Sequence, residues 1–307
     1  MMKKNFKGIL LGLSSGMFWG LDTALNGLVL TMAPFILADA RLISGTLLLA
    51  FFHDFISALL LTADIGVHGG LKATVTLLKN RSAHFVMVAA LFAGPLGMRA
   101  YLYAVDTIGS GLTATISAIY PAVAAILGAI FLKDYLNKRG WLGLMLTITA
   151  IGILGYTNLA SVGSMVLGIL AALLCVFGWA SESVITAYGM KDDIEPKQAL
   201  FIRQWTSSLA YLLFMFFEGD WMFSVQAVVL SPSIWLTVAL AVVGTLSYLC
   251  YYSAIDTIGP VKATGLNVTY SIWTVVFTLI LMGGEFDLKL IVCGLLIIVG
   301  SSLVIKD

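Results

Sequence analysis

Charge is what this sequence has least of. Among 307 residues there are 17 Lys and Arg and 16 Asp and Glu, so 11% are charged and the formal net charge is +1. A soluble globular domain carries roughly 25% charged residues, and a chain this depleted cannot cover itself with a solvated surface. Near-neutrality without a basic run also removes the electrostatic footprint of nucleic-acid binding. Histidine is scarce: the three present, His53, His68 and His84, show no metal-ligand spacing, and no cofactor or metal centre is expected. Cysteine is equally sparse. Cys175, Cys250 and Cys293 each lie inside an apolar stretch, as buried thiols do, rather than forming a disulfide framework. No phosphate-binding glycine loop occurs, which excludes an ATP-driven pump, and no nucleophile–base pair supports an enzyme.

What remains is apolar. Hydrophobic residues make up 60% of the chain and the mean hydropathy is +1.01. A membrane span needs about 20 apolar residues, and the few charges divide the sequence into ten such stretches, approximately 8–32, 34–61, 82–106, 110–132, 139–158, 164–190, 195–218, 233–256, 260–282 and 287–305. The runs are continuous and lack period-two alternation, which excludes a β-barrel. The basic start, MMKKNFK, imitates a signal peptide. No small-residue cleavage site follows, so an uncleaved first helix is expected.

The chain also repeats itself at an offset of about 150 residues. YLYAVDTIG at 101–109 returns as YYSAIDTIG at 251–259, and Tyr120 and Tyr270 extend the match. Two copies, 8–158 and 164–305, then hold five helices each, and an odd number forces the second copy to insert upside down. Lys and Arg collect on the face shared by the termini, at Lys3, Lys4, Lys7, Lys72, Lys79, Arg81, Lys133, Lys138, Arg139, Lys191, Lys197 and Lys306. The positive-inside rule makes that face cytoplasmic. The expected fold is therefore all-α and integral to the membrane, with ten transmembrane helices in two inverted-topology repeats.

An ionisable group within a span is costly and marks a functional site by default. Trp19 and Asp22 in the first stretch match Trp179 and Glu182 in the sixth, and a spacing of three puts ring and carboxylate on one helical face. Arg41 and Arg203 occupy matching places in stretches two and seven. Structural pairs Asp22–Arg41 and Glu182–Arg203 are one reading, and a carboxylate left for a substrate cation is the other. His53 and Asp54 fall toward the inner end of the second stretch, as a proton relay or an interfacial pair. Tyr101, Tyr120, Tyr248, Tyr251 and Tyr270 share the same depth as the tryptophans, with Tyr103, Tyr252 and Trp273 nearby. Aromatic faces attract cations, and quaternary ammonium groups, which offer no N–H donor, suit them best. Asn267 is a further binding candidate. Gly94-Pro95 and Pro121 interrupt their helices.

The blocks LFAGPLGMRAYLYAV at 91–105, SAIYPA at 117–122, WASESV at 179–184, IRQ at 202–204 and KATGLNVTYSIWTV at 262–275 resemble the drug/metabolite transporter superfamily with EamA-type repeats, and within it the bacterial choline permeases of the LicB type. The resemblance implies an inner-membrane secondary transporter that imports choline for decoration of teichoic acid or lipopolysaccharide. It also implies a pocket containing Trp19 and Trp179, with Glu182 as the counter-charge; as a buried carboxylate, Glu182 is also a candidate proton carrier. Arg99 sits oddly inside this pattern, near a cation route. The rival expectations are an exporter of amino acids or drugs from the same superfamily, and a membrane enzyme acting on lipid head groups.

Overall fold

The computed structural model describes residues 2–36, 42–155, 162–191, 194–283 and 288–305. Among these every regular element is helical and there is no strand. In chain order they are α1 Met2–Leu30, α2 Gly45–Val67, α3 Leu71–Leu77, α4 Arg81–Leu91, a π-helical segment Phe92–Met98, α5 Arg99–Ile108, α6 Ser110–Ser117, α7 Tyr120–Phe131, α8 Lys138–Gly155, α9 Val162–Gly189, α10 Pro196–Glu218, α11 Trp221–Val229, α12 Ser233–Ile258, α13 Pro260–Asn267, α14 Tyr270–Met282 and α15 Leu288–Ile305. Among the described residues, seven stretches are long and apolar enough to cross a membrane: Asn5–Leu30, Gly45–Val67, Arg81–Ile108, Met165–Gly189, Pro196–Glu218, Ser233–Ile258 and Pro260–Met282. Tyr120–Phe131 and Val292–Ser301 are shorter apolar helices.

Three breaks were only partly visible in the sequence. Pro95 cannot donate the backbone hydrogen bond of its turn, and the chain widens there into the π segment. The carbonyl of Ala90, left by that proline in an i→i+5 pattern, accepts instead from Ser207 Oγ at 3.2 Å. The stretch 110–132 divides into α6 and α7 just before Pro121. Its counterpart 260–282 divides at the equivalent place, between Asn267 and Tyr270, without a proline. There the hydroxyls of Thr269 and Ser271 bond back to Leu266 O and Val268 O, a pattern that bends helices.

Both DTIG motifs end a helix in the same way. Gly109 and Gly259 have φ of 81° and 84°, a left-handed conformation open to glycine at no steric cost, and α6 and α13 start immediately beyond.

Small residues set the packing. Along α1, Gly8 lies against Thr257 and Ile258, Gly12 against Leu266, Gly16 against Asn267 and Thr269, and Gly20 against Trp273. Along α9, Gly168 lies against Thr107 and Ile108, Gly178 against Phe92 and Gly97, and Gly189 against Ser82 and Val86. Glycine stripes let helix backbones approach closely where no hydrophobic effect drives them together. Thus α1 packs on the late helices α12 to α14, and α9 packs on the early ones α4 to α5. That exchange carries Trp19 and Trp179 to the same central point.

The second expected span differs most. The apolar stretch starts at residue 34, but residues 31–36 form turns and α2 runs from Gly45 to Val67. The hydrophobicity of the approach to α2 made the span look early.

Candidate functional site

Trp19 and Trp179 form the middle of an aromatic cluster. Their rings meet edge to face at 5.3 Å. Tyr248 stands 5.2 Å from Trp19, and Tyr101 and Tyr120 lie 4.8 Å and 5.9 Å from Trp179. A cavity is lined by Trp19, Tyr120, Trp179, Glu182, Ser247, Tyr248, Tyr251 and Asn267. It is narrow, about 20 Å³, on the scale of one water, which needs about 10–15 Å³ by the same measure. A trimethylammonium group fits only when the rings part.

The cavity has a polar end. Tyr120 OH donates to Asn267 Oδ1 at 2.7 Å, and Asn267 Nδ2 donates to Ser15 Oγ at 2.8 Å. Ser247 Oγ donates to Ser15 O at 2.9 Å. Asn267 therefore both lines the cavity and ties α13 to α1.

Glu182 supplies the charge. Its Oε1 accepts from Tyr252 OH at 2.7 Å and lies 3.6 Å from Arg203 Nε. From Arg203 a chain of buried ionic contacts runs across the protein. Arg203 Nη1 meets Asp54 Oδ1 at 3.0 Å, Asp54 Oδ1 meets His53 Nδ1 at 2.9 Å, and His53 Nε2 meets Asp22 Oδ1 at 3.0 Å. Asn26 Nδ2 closes the far end on Asp22 Oδ2 at 2.7 Å. The Arg203 guanidinium stacks 4.1 Å from the Tyr248 ring centroid and donates to the Tyr248 hydroxyl at 2.8 Å. Gln204 joins it to Ser57, which also accepts from Thr245. All five ionisable members are at most 2% exposed.

Two consequences follow from the chemistry of these groups. An ionised carboxylate only accepts hydrogen bonds, so His53, held between two carboxylate oxygens, satisfies both contacts when both ring nitrogens carry hydrogen. With that imidazolium and all three carboxylates ionised, three negative groups face two cations, which leaves one negative charge beside the aromatic cavity.

The sequence candidates fall into groups. Trp19, Trp179, Glu182, Tyr120, Tyr248, Tyr251 and Asn267 line the cavity. Tyr101 and Tyr270 stand behind it, their hydroxyls paired with Thr23 at 2.8 Å and Ser117 at 2.5 Å. Asp22, Asp54 and Arg203 belong to the charge chain. Arg41 lies outside the described residues. Arg99 pairs with Glu218 and packs on Phe214, 5.5 Å from its ring centroid, away from the cavity. Tyr103 is 38% exposed, and Trp273 stacks on Phe277.

His53 and Asp54 are not at an interfacial edge. Because α2 starts at Gly45, they fall well inside it and are fully buried. Ser247, Asn26 and Ser15 are small polar side chains that give no signal in an apolar helix. Tyr252 was audible only as the neighbour of Tyr251.

The EamA-like transporter family matches twice, over residues 6–156 and 166–306. The chain belongs to the EamA-like transporter family. This assigns it to the drug/metabolite transporter superfamily as a multi-pass membrane protein. It is 30% identical over 275 residues to Protein LicB of Haemophilus influenzae, covering 88% of this chain and 87% of that one. A solved crystal structure of a protein 17% identical in sequence superposes with a TM-score of 0.69, over 97% of this chain and 96% of its own. At that identity the likeness is one of fold. Each matched half of the family begins with the helix that bears the Trp-x-x-acid pair, Trp19 and Asp22 or Trp179 and Glu182.

Proposed function

We propose that this transporter carries choline or a closely related quaternary ammonium compound into the cell by alternating access. The observation that carries the reading is Glu182, 3.6 Å from Arg203 in the buried ionic network, on the wall of a cavity lined by two indole and three phenol rings with Ser247 and Asn267 at its polar end. A cation over such rings gains about 0.5–2 kcal/mol per ring, and a permanent cation cannot escape the site by losing a proton. The sequence blocks that resemble choline permeases favour choline within this class, and the chain is 30% identical to Protein LicB.

In this reading ten membrane helices form two inverted five-helix repeats, 8–158 and 164–305, in the bacterial inner membrane with both termini cytoplasmic. The membrane potential supplies the driving force, since one positive charge moving inward gains about 2.3 kcal/mol per 100 mV. The proton shared by His53 and its two carboxylates is the candidate coupled ion, alongside Glu182. The matching breaks between α6 and α7 and between α13 and α14 are the hinges at which the two repeats exchange shapes.

An exporter of amino acids would need a cation for the substrate carboxylate. Among the described residues, Arg203 is engaged by Asp54 and Tyr248, and Arg99 by Glu218, which favours a cationic substrate; Arg41, the third candidate, lies outside them. Ligand-induced thermal stabilisation of the purified protein tests the class directly. A ligand at 100 times its Kd stabilises by about 2.7 kcal/mol. Choline is expected to raise the melting temperature, while arginine and tryptophan leave it unchanged. Stabilisation by arginine or tryptophan without choline would overturn the proposal.

A further inference from the structure

On the side of α9 turned away from the cage, a groove of about 640 Å³ opens outward. Phe85 and Phe92, Leu127, and Phe177, Ile185 and Tyr188 line it, so its walls come from α4, the π segment, α7 and α9. From Phe177 to Tyr188 it follows α9 for about 17 Å at 1.5 Å per residue. Half of a hydrocarbon core of about 30 Å is about 15 Å, so the groove is one leaflet deep. It runs from the middle of α9 to the end of the bundle where α4 begins and α9 ends.

That end is basic. The Phe85 and Tyr188 rings meet at 4.8 Å. Arg81 lies 5.7 Å from the Phe85 centroid, and Lys191 lies 5.7 Å from the Tyr188 centroid. Both cations are exposed, and each sits on one ring of the same aromatic pair; Lys191 also lines a neighbouring pocket with Asp134 and Asp256. Lys133, also exposed, ends α7 beside the groove-lining Phe131 and Leu132.

We infer that the groove binds one anionic phospholipid, with an acyl chain along the phenylalanines and the phosphate between Arg81 and Lys191. Any lipid tail satisfies the apolar length, but only a negatively charged head group uses the cations. Basic clusters at the edge of membrane helices select anionic lipids in this way. The site is distinct from the substrate cavity yet shares a wall with it: Ser181 lines the groove while the adjacent Glu182 lines the cavity. A bound tail therefore braces the turn of α9 that carries Trp179 and Glu182, and packs on Phe92 of the π segment.

The test is native mass spectrometry of the delipidated full chain in detergent, titrated with phosphatidylglycerol and with phosphatidylcholine of the same chain length. The wild type is expected to retain one phosphatidylglycerol in preference to phosphatidylcholine. R81Q/K191Q, altered only at exposed positions, should bind phosphatidylglycerol about 30-fold more weakly, as expected for two basic groups near a membrane surface. Ile185→Trp, which fills the groove and leaves both cations in place, should weaken both lipids. Equal phosphatidylglycerol binding by wild type and R81Q/K191Q, or phosphatidylcholine held as tightly as phosphatidylglycerol, would overturn the inference. The readout is lipid binding, so it stands or falls independently of the substrate.

Discussion

The indole rings of Trp19 and Trp179 touch edge to face, their centroids 5.3 Å apart and their planes at 81°. Each comes from the first helix of its own half of the sequence, and each half hands that helix to the other. In the proposed reading a substrate cation is held against these two rings.

Removing either ring should therefore weaken binding. With cation–π contributions of about 0.5–2 kcal/mol per ring, Trp19→Ala and Trp179→Ala are each expected to raise the choline Kd by roughly 2- to 30-fold, with expression retained. Isothermal titration of the purified variants measures this. Unchanged affinity in both would remove the cage from the account.

Glu182→Gln keeps the shape of the side chain and removes its charge. The network then balances, with Asp22 and Asp54 against His53 and Arg203, and its attraction for a cation disappears. Loss of choline binding is expected, while Tyr252→Phe, which removes only the 2.7 Å hydrogen bond to Glu182, should lose less. Normal uptake by Glu182→Gln would mean that the carboxylate is neither counter-charge nor proton carrier.

Gly97 of the π segment fits against Trp179 only because it has no side chain. A Cβ there would stand 2.8 Å from Trp179 Cδ1 and 2.9 Å from the carbonyl oxygen of Phe92. Overpacking of this kind costs about 1–3 kcal/mol. Gly97→Ala should lower thermal stability accordingly and displace the Trp179 ring, seen as a shift in tryptophan fluorescence. Gly66→Ala, where nothing lies within 4 Å, serves as the comparison and should do neither.

The inverted arrangement predicts opposite exposure for the two DTIG turns. Single cysteines at Thr107 and Thr257, placed in a background lacking Cys175, Cys250 and Cys293, should react with an impermeant maleimide from opposite sides of the membrane. Reaction of both from one side would reject the inversion.

Much of this was legible beforehand because the strongest signals survive in one dimension. Hydropathy marked the helices, the DTIG repeat marked the doubling, and Trp-x-x-acid spacing marked Trp19 and Glu182. The charge chain was legible only in part. His53 and Asp54 were misplaced because Phe35 and the apolar residues after it read as the start of a span, whereas α2 begins at Gly45. An error of a few turns moves a residue from the middle of the membrane to its edge. Asp22 could not be joined to His53 from sequence, since nothing local ties a residue of α1 to one of α2. Nor could the exchange of α1 and α9 between halves be read, since glycine stripes name no partner.

The most direct measurement is radiolabelled choline uptake into proteoliposomes holding a negative-inside potential, competed by betaine, ethanolamine, arginine and tryptophan. At 100 mV the potential alone supports roughly 50-fold accumulation of a monovalent cation. The account predicts potential-driven choline uptake that quaternary amines block and arginine and tryptophan leave alone. No choline uptake, with movement of an amino acid instead, would contradict it.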